Sequence, residues 1–227
     1  MESAITRVNW QMYQSLVGAG LLCAILIVSV FTITAPVIKR NKEEALQRAL
    51  FSILPQVQTY KAFVRNQHGR FVIRDDETAP GQVVYVGYHQ DNKIAGIAVP
   101  ANGMGYQDTI ELLYAYEPTR QAIVGLVILS NRETPGLGSK IESDAVFHNN
   151  FKQLDVALTA NQSSLLHDIE TVKSGTKTNA WEIDGISGAT ISSKAVGTIV
   201  QKNAAVLIPA VAQRVKDFTI EQTHNQR

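Results

Sequence analysis

A turn of small residues runs directly into a long helical pattern in the stretch Asp184-Gly185-Ile186-Ser187-Gly188-Ala189-Thr190-Ile191-Ser192-Ser193-Lys194-Ala195-Val196. From this turn onward, apolar residues recur at the spacing of one helix face, at Val196, Ile199, Val200, Ala204, Leu207, Ile208 and Val211. This period predicts a helix whose apolar stripe faces a core. We interpret Pro209 as an interruption that starts a second helical piece ending near Phe218.

The turn before this helix is predicted to bind an anion. Ser192 and Ser193 are candidate N-cap residues, which places Thr190 on the turn just before the first helical residues. Free backbone N–H groups and the positive end of the helix dipole gather at such a place and favour negative charge. Gly188 and Ala189 add no bulk there, so a large partner can reach the Thr190 hydroxyl. The stretch therefore predicts a phosphate site.

The pattern Asp-x-x-[Ser/Thr]-Gly-Ala-Thr in this turn resembles the flavinylation motif of FMN-binding domains in respiratory ion pumps. In that family, a flavin transferase moves FMN from FAD to the last threonine and forms a phosphoester. The resemblance implies that Thr190 accepts FMN, that Asp184 is the motif aspartate, and that Ser187, Gly188 and Ala189 form its small run. The alternative is an ordinary glycine-containing turn that caps a helix.

A second turn, Glu133-Thr134-Pro135-Gly136-Leu137-Gly138, follows a continuous apolar strand pattern. Pro-Gly suits the central positions of a type II turn, because the second residue needs positive φ. Taken alone, this segment is a surface turn. It resembles the second signature of the same FMN domains, where it borders the flavin ring. The resemblance implies that Glu133, Thr134, Leu137 and Gly138 contact the cofactor, and Gly105-Tyr106-Gln107-Asp108 resembles a further Gly-Tyr segment of that family.

Composition limits the classes of function that the chain can have. With 227 residues, of which 45% are hydrophobic, it can hold one membrane segment and one domain with a sizeable core. A net charge of +1 does not indicate a nucleic-acid surface. The single cysteine, Cys23, lies in the apolar N-terminal run, and the five histidines show no ligand spacing. We therefore predict neither a disulfide nor a metal site.

Residues 16–38 form a nearly continuous apolar run after a short polar head, residues 1–15. As a helix, this run spans roughly 35 Å, which is enough to cross a hydrocarbon core of about 30 Å. A cleaved signal peptide is the alternative, but its apolar core is usually shorter and is followed by a small-residue cleavage site. We interpret the run as an uncleaved transmembrane helix.

The flanking charges of this helix and the family resemblance imply opposite orientations. Arg7 precedes the span, whereas Lys39, Arg40 and Lys42 follow it, which would keep the C-terminal side in the cytoplasm. The family resemblance implies the opposite, a domain on the periplasmic side of a bacterial inner membrane. We follow the resemblance, because long domains translocate largely regardless of flanking charge.

The rest of the chain predicts an α+β fold. Residues 39–79 are predicted as an amphipathic helix, stopped by Pro55, and a connecting segment; residues 80–227 are predicted as one FMN-binding domain. Strands are predicted at 82–88, 94–99, 112–116 and 122–129, a flexible loop at 102–105 and a helix at 141–154. The continuous apolar run 122–129 predicts a strand in the sheet interior. Helices and strands do not alternate steadily, so α+β is the better class.

Together, the anchor and the three motif segments resemble the family of G subunits of Rnf-type electron transport complexes. The resemblance implies an electron carrier that works with other subunits of a complex coupling electron flow between ferredoxin and NAD to ion transport. It also implies maturation by a flavin transferase and contact with the lipid bilayer. The alternatives are the FMN-bearing C subunit of a sodium-translocating NADH:quinone reductase, and a cofactor-free membrane-tethered binding or structural subunit.

Overall fold

The computed structural model describes residues 2–74 and 81–219. The chain divides into two compact units, Met1–Leu46 and Gln47–Arg227. His224, one of the five histidines, lies outside the described residues.

A long helix, α1 (Glu2–Ile53), begins within the predicted polar head and includes the predicted amphipathic helix. The predicted apolar helix is confirmed as part of α1. Helix α1 ends before Pro55, whose ring prevents a further helical turn. Two described helices are long and apolar enough to span a membrane, within Trp10–Ile53 and Thr190–Gln213. The apolar window of the first is unburied, whereas that of the second is more than half buried. The first is therefore the candidate anchor.

The centre of the larger unit is an antiparallel sheet in the order β2-β1-β3-β4-β5-β6-β7. Its strands are β1 (Thr59–Arg65), β2 (Phe71–Ile73), β3 (Val83–Tyr88), β4 (Ile94–Met104), β5 (Thr109–Glu117), β6 (Ala122–Ser130) and β7 (Leu154–Asp155). A separate parallel pair consists of β8 (Glu170–Val172) and β9 (Glu182–Asp184). The four predicted strands are confirmed as β3 to β6, and the mixture of elements confirms the α+β class.

The sheet differs from the sequence prediction in two places. Strands β1 and β2 lie in the segment that was predicted as a connection. The sequence did not predict them, because polar residues on one face hide the strand pattern. The predicted flexible loop at 102–105 is wrong up to residue 104: β4 continues to Met104, and β5 pairs with it through Thr109. Backbone pairing thus overrides the local preference of two glycines for a loop.

Two further predictions need correction. Strand β6 is not an interior strand along its length, because its outer neighbour β7 pairs with only its first two residues and leaves its second half partly exposed. The predicted helix at 141–154 is broken into a 3₁₀ turn (Gly138–Glu142), helix α2 (Ala145–Asn149) and another 3₁₀ turn (Asn150–Lys152). Asp144 divides the first two, because its side chain accepts the Phe147 N–H as an N-cap.

Helix α3 (Thr190–Gln213) packs its apolar face into the core of the larger unit. All seven residues of the predicted stripe are buried there. The predicted interruption at Pro209 is wrong, since the helix runs through this buried proline to Gln213, and only a 3₁₀ turn (Val215–Phe218) follows. The division of the chain at residue 80 stays a prediction, as do the limits of the head and span.

Candidate functional site

The N-terminus of helix α3 brings Thr190 to the surface as the first helical residue. Ala189 occupies the N-cap position, and Gly188 precedes it with a φ of +81°, which glycine adopts without strain. The first hydrogen bond of the helix runs from the Ser193 N–H to the Ala189 oxygen at 2.9 Å. The preceding N–H groups of the helix therefore have no intrahelical acceptor.

Ser192 and Ser193 are not N-caps, so that prediction is wrong. The Ser193 hydroxyl donates back to the Ala189 carbonyl at 3.0 Å, and the Ser192 hydroxyl donates to the carboxylate of Glu133. Among the described residues, no side chain caps α3. The positive end of this helix is left open to an external acceptor.

A cleft of about 320 Å³ lies beside the Thr190 hydroxyl. Its lining comes from the two predicted turns, the first turn of α3 and the segment after β4, namely Tyr106, Thr134, Leu137, Gly138, Gly188, Ala189, Thr190, Ile191 and Ser192. Three of these side chains are large, apolar and exposed, those of Tyr106, Leu137 and Ile191. The cleft thus combines free N–H groups with an apolar rim.

The second predicted turn has the geometry that its Pro-Gly pair indicates. The Leu137 N–H donates to the Thr134 carbonyl at 3.1 Å, and Gly136 has a φ of +75°. This is the hydrogen bond and the positive φ of a type II turn. The turn places Thr134, Leu137 and Gly138 at the cleft.

Glu133 lies beneath the cleft, with only 4% of its surface exposed. One carboxylate oxygen accepts the N–H groups of Tyr106 at 2.8 Å and Gln107 at 3.1 Å, and the other accepts the Ser192 hydroxyl. A single carboxylate therefore connects the segment after β4, the second turn and the first turn of α3. This role differs from the predicted contact with a cofactor.

Two glycines make room for this carboxylate. A Cβ at Gly138 would stand 2.6 Å from a Glu133 carboxylate oxygen and 2.6 Å from the Ser192 oxygen. A Cβ at Gly105 would stand 2.4 Å from the other carboxylate oxygen. Contacts this short are not sustained by real side chains, so glycine is required at both positions. The part played by Ser192 and by the Tyr106 N–H carried no signal in the sequence.

Asp184 is close in sequence to Thr190 but does not line the cleft. It ends strand β9, and one of its carboxylate oxygens accepts the N–H groups of Thr176 and Lys177, each at 3.2 Å. Its own N–H donates to the Asn150 side chain at 3.0 Å. Asp184 therefore holds the loop that precedes β9. Ser187 is exposed next to the cleft without being part of its lining.

The electrostatics near this loop are set by hydrogen bonds. The N–H groups of Thr178 and Asn179 donate to Glu182 at 2.7 and 3.0 Å, which lowers the pKa of its carboxyl to about 2. Burial lowers the pKa of Lys177, although the nearby carboxylate of Asp184 opposes this shift. Hydrogen bonds to the carboxylates of Glu182 and Asp184 thus hold the loop before β9.

The cleft residues fit a phosphate ester of a flat aromatic molecule. Thr190 supplies an exposed hydroxyl at a helix N-terminus, where N–H groups favour phosphate oxygens. The backbone at Gly188 is open, since nothing lies within 4 Å of a Cβ built there. The apolar rim offers flat contact area to a ring.

Comparison with known proteins agrees with this arrangement. Residues 105–205 match the FMN-binding domain family. The chain is 30% identical over 182 residues to the G subunit of the ion-translocating oxidoreductase complex of Methanosarcina acetivorans, a match that covers 80% of this chain and 85% of that protein. It is 30% identical over 178 residues to the G subunit of the proton-translocating ferredoxin:NAD(+) oxidoreductase complex of Clostridium ljungdahlii, covering 77% and 78%.

Two solved structures have a similar fold. NqrC of Shewanella oneidensis matches with a TM-score of 0.58 at 15% identity, over 79% of this chain and 97% of that one. The C subunit of the Na(+)-translocating NADH-quinone reductase of Parabacteroides distasonis matches with a TM-score of 0.58 at 22% identity, over 82% and 97%. At these identities the similarity shows the fold alone.

Proposed function

We propose that this chain, which belongs to the family of G subunits of ion-translocating oxidoreductase complexes as its motifs predicted, is a membrane-anchored electron carrier. In this proposal, FMN is esterified to Thr190. The observation that carries this proposal is the exposed Thr190 hydroxyl at the open N-terminus of α3, beside a cleft with an apolar rim. Transfer of FMN from FAD would form the bond between the phosphate and the threonine oxygen and release AMP. A flavin transferase is the partner that this step requires.

Each part of the cleft has a distinct task in this proposal. The free N–H groups of the first turn of α3 would donate to the phosphate oxygens. Tyr106, Leu137 and Ile191 would cover the ring and exclude water, and Thr134 and Gly138 would border it. Glu133 holds these segments together from below. FMN, when bound, supplies one- and two-electron transfer, which the protein tunes through orientation, hydrogen bonding and burial.

The relatives support the general role proposed for this chain, that of a subunit in an electron-transfer complex. Relatives carry the names of ion-translocating and ferredoxin:NAD(+) oxidoreductase complexes, so this chain is proposed as an electron-transfer subunit that works only with the other subunits. A second candidate is the corresponding subunit of a sodium-translocating NADH:quinone reductase, because two such subunits share this fold. Purification of the complex from its native membrane distinguishes the two, because ferredoxin reduces one and a quinone accepts electrons from the other.

The location proposed for this subunit is a bacterial inner membrane, crossed once by α1, with the larger unit in the periplasm. The support is the unburied apolar window of α1 together with the family membership. A covalent bond suits this side of the membrane, because FMN lost there would not be replaced from a cytoplasmic pool.

In-gel fluorescence tests the attachment. The full chain, expressed with a flavin transferase, should fluoresce at the protein band of a denaturing gel. Thr190→Val should abolish this fluorescence, because it removes the acceptor oxygen and little volume. Thr198→Val, which changes another exposed threonine of α3, is the matched control and should fluoresce. A dark wild-type band would favour the remaining alternative, a cofactor-free binding or structural subunit.

A further inference from the structure

A larger groove of about 620 Å³ adjoins the attachment cleft. Helix α3 forms one wall, and the end of strand β4, from Asn102 to Met104, forms the other. Ile191 lines both the groove and the cleft. Anything that occupies the groove therefore lies next to Thr190.

The groove combines exposed apolar side chains with positive charge. Met104 and Val206 are 66% and 57% exposed. Lys194 and Lys202 stand on the same wall, and no carboxylate is part of the described lining. The groove therefore offers a partner both apolar contact area and positive charge.

Neither lysine forms a salt bridge in the part of the chain that the structure describes. Lys194 follows Thr190 by about one helical turn and can reach a phosphate there. Lys202 is three turns away, roughly 18 Å along the helix axis, and lies beyond the reach of that phosphate. Its charge is therefore left for another anionic group.

We propose that this groove is the docking surface for an acidic, partly apolar segment of a neighbouring subunit of the complex. The proposal rests on the electron-carrier function, which requires a redox partner to approach the flavin. A carboxylate of the segment would pair with Lys202, and its apolar side chains would cover Met104, Ile191 and Val206. The two walls of the groove can enclose a protein segment, whereas a flat bilayer surface cannot reach the floor of a groove.

Charge reversal in the assembled complex tests the docking. The full chain is expressed with the other subunits and the transferase, and the rate at which those subunits reduce its flavin is measured at low and high salt. Lys202→Glu should slow this reduction by at least about tenfold at low salt, and the difference from wild type should shrink at high salt. Lys173→Glu, an exposed lysine in the loop after β8, makes the same charge change elsewhere and should leave the rate unchanged.

Two further measurements separate this proposal from the attachment itself. In-gel fluorescence should be equal in all variants, so loss of docking is distinguishable from loss of the flavin. A neutral variant that fills the groove, Thr198→Trp, should also slow reduction. A photoreactive residue at position 198 should cross-link to an acidic segment of another subunit.

The proposal is overturned if Lys202→Glu and Lys173→Glu behave alike. It is also overturned if position 198 cross-links only to lipid, or only within the chain, for example to the acidic run at 75–77. Loss of binding to phosphatidylglycerol vesicles in Lys202→Glu, with an unchanged rate of reduction, would assign the lysines to the membrane instead.

Discussion

At the scale of single residues, two carboxylates organise the backbone around the proposed acceptor, Thr190. Glu133 accepts three hydrogen bonds from two other segments, and Asp184 accepts two from the loop before β9. Such acceptors stabilise a structure chiefly because removing them leaves donors without a partner. Their loss should therefore affect both stability and flavin attachment.

Removing the Glu133 carboxylate should destabilise the larger unit and reduce flavin attachment. In Glu133→Ala the N–H groups of Tyr106 and Gln107 and the Ser192 hydroxyl lose their acceptor, which should cost about 2–3 kcal/mol of unfolding free energy. Denaturant unfolding and in-gel fluorescence measure the two effects. Glu170→Ala, at an exposed glutamate of β8, is the control. Unchanged stability would show that Glu133 does not connect the three segments.

Substitutions of Asp184 distinguish a structural role from recognition by the transferase. An asparagine oxygen can still accept from Thr176 and Lys177, whereas alanine cannot. If Asp184 acts by holding the loop, Asp184→Ala should lose flavin and Asp184→Asn should retain most of it. If instead the transferase reads the carboxylate of the motif aspartate, Asp184→Asn should also reduce attachment. Equal loss in both variants, measured by fluorescence per mole of folded protein, would support recognition of the carboxylate instead.

Glu182 predicts how stability depends on pH. Hydrogen bonds from Thr178 and Asn179 lower its folded-state pKa from 4.5 to about 2. A carboxyl with a lowered pKa contributes stability above its unfolded pKa and loses it as the pH falls toward the folded value. Wild type should therefore lose stability relative to Glu182→Gln between about pH 4.5 and pH 2. Parallel curves for the two proteins in denaturant unfolding would refute this assignment.

At the scale of elements, periodic patterns were predictable and pairwise contacts were not. Helix α3 was predictable because its apolar stripe repeats along the helix, and β6 because its run is continuously apolar. The strand at residues 102–104 was not predictable, because these residues favour a loop. Pairing with β5 and the packing of Ile199 against Gly103 make them a strand. The second turn was predictable from Pro-Gly. The connection of Glu133 to Ser192 was not, since it joins residues that are far apart in the chain.

The second turn allows a prediction at this scale. Gly136 has a φ of +75° and nothing within 4 Å of a built Cβ, so Gly136→Ala introduces backbone strain without a clash, at a cost of about 1–2 kcal/mol. Gly138→Ala brings a Cβ within 2.6 Å of Glu133 and Ser192 and should reduce flavin attachment more strongly. Thermal unfolding and fluorescence of the two variants check this order. If Gly136→Ala reduced flavin attachment more than Gly138→Ala, attachment would depend on the conformation of the turn and not on the space around Glu133.

At the scale of the whole molecule, the flanking charges and the family membership predict opposite sides of the membrane for the larger unit. Lys39, Arg40 and Lys42 favour a cytoplasmic domain, whereas the proposal places it in the periplasm. A chain with Cys23→Ser and Ser174→Cys carries one exposed thiol in the larger unit. A membrane-impermeant maleimide should label it in intact cells with a permeabilised outer membrane. Labelling only after lysis would place the unit in the cytoplasm.

The central claim is the bond between FMN and the Thr190 oxygen, and mass spectrometry of one peptide tests it most directly. Digestion with trypsin releases residues 178–194, which contain both Asp184 and Thr190. In protein purified from its native membrane, this peptide should carry the added mass of FMN less one water, with fragment ions that locate it on Thr190. An unmodified peptide, or FMN located on another residue, would contradict the account.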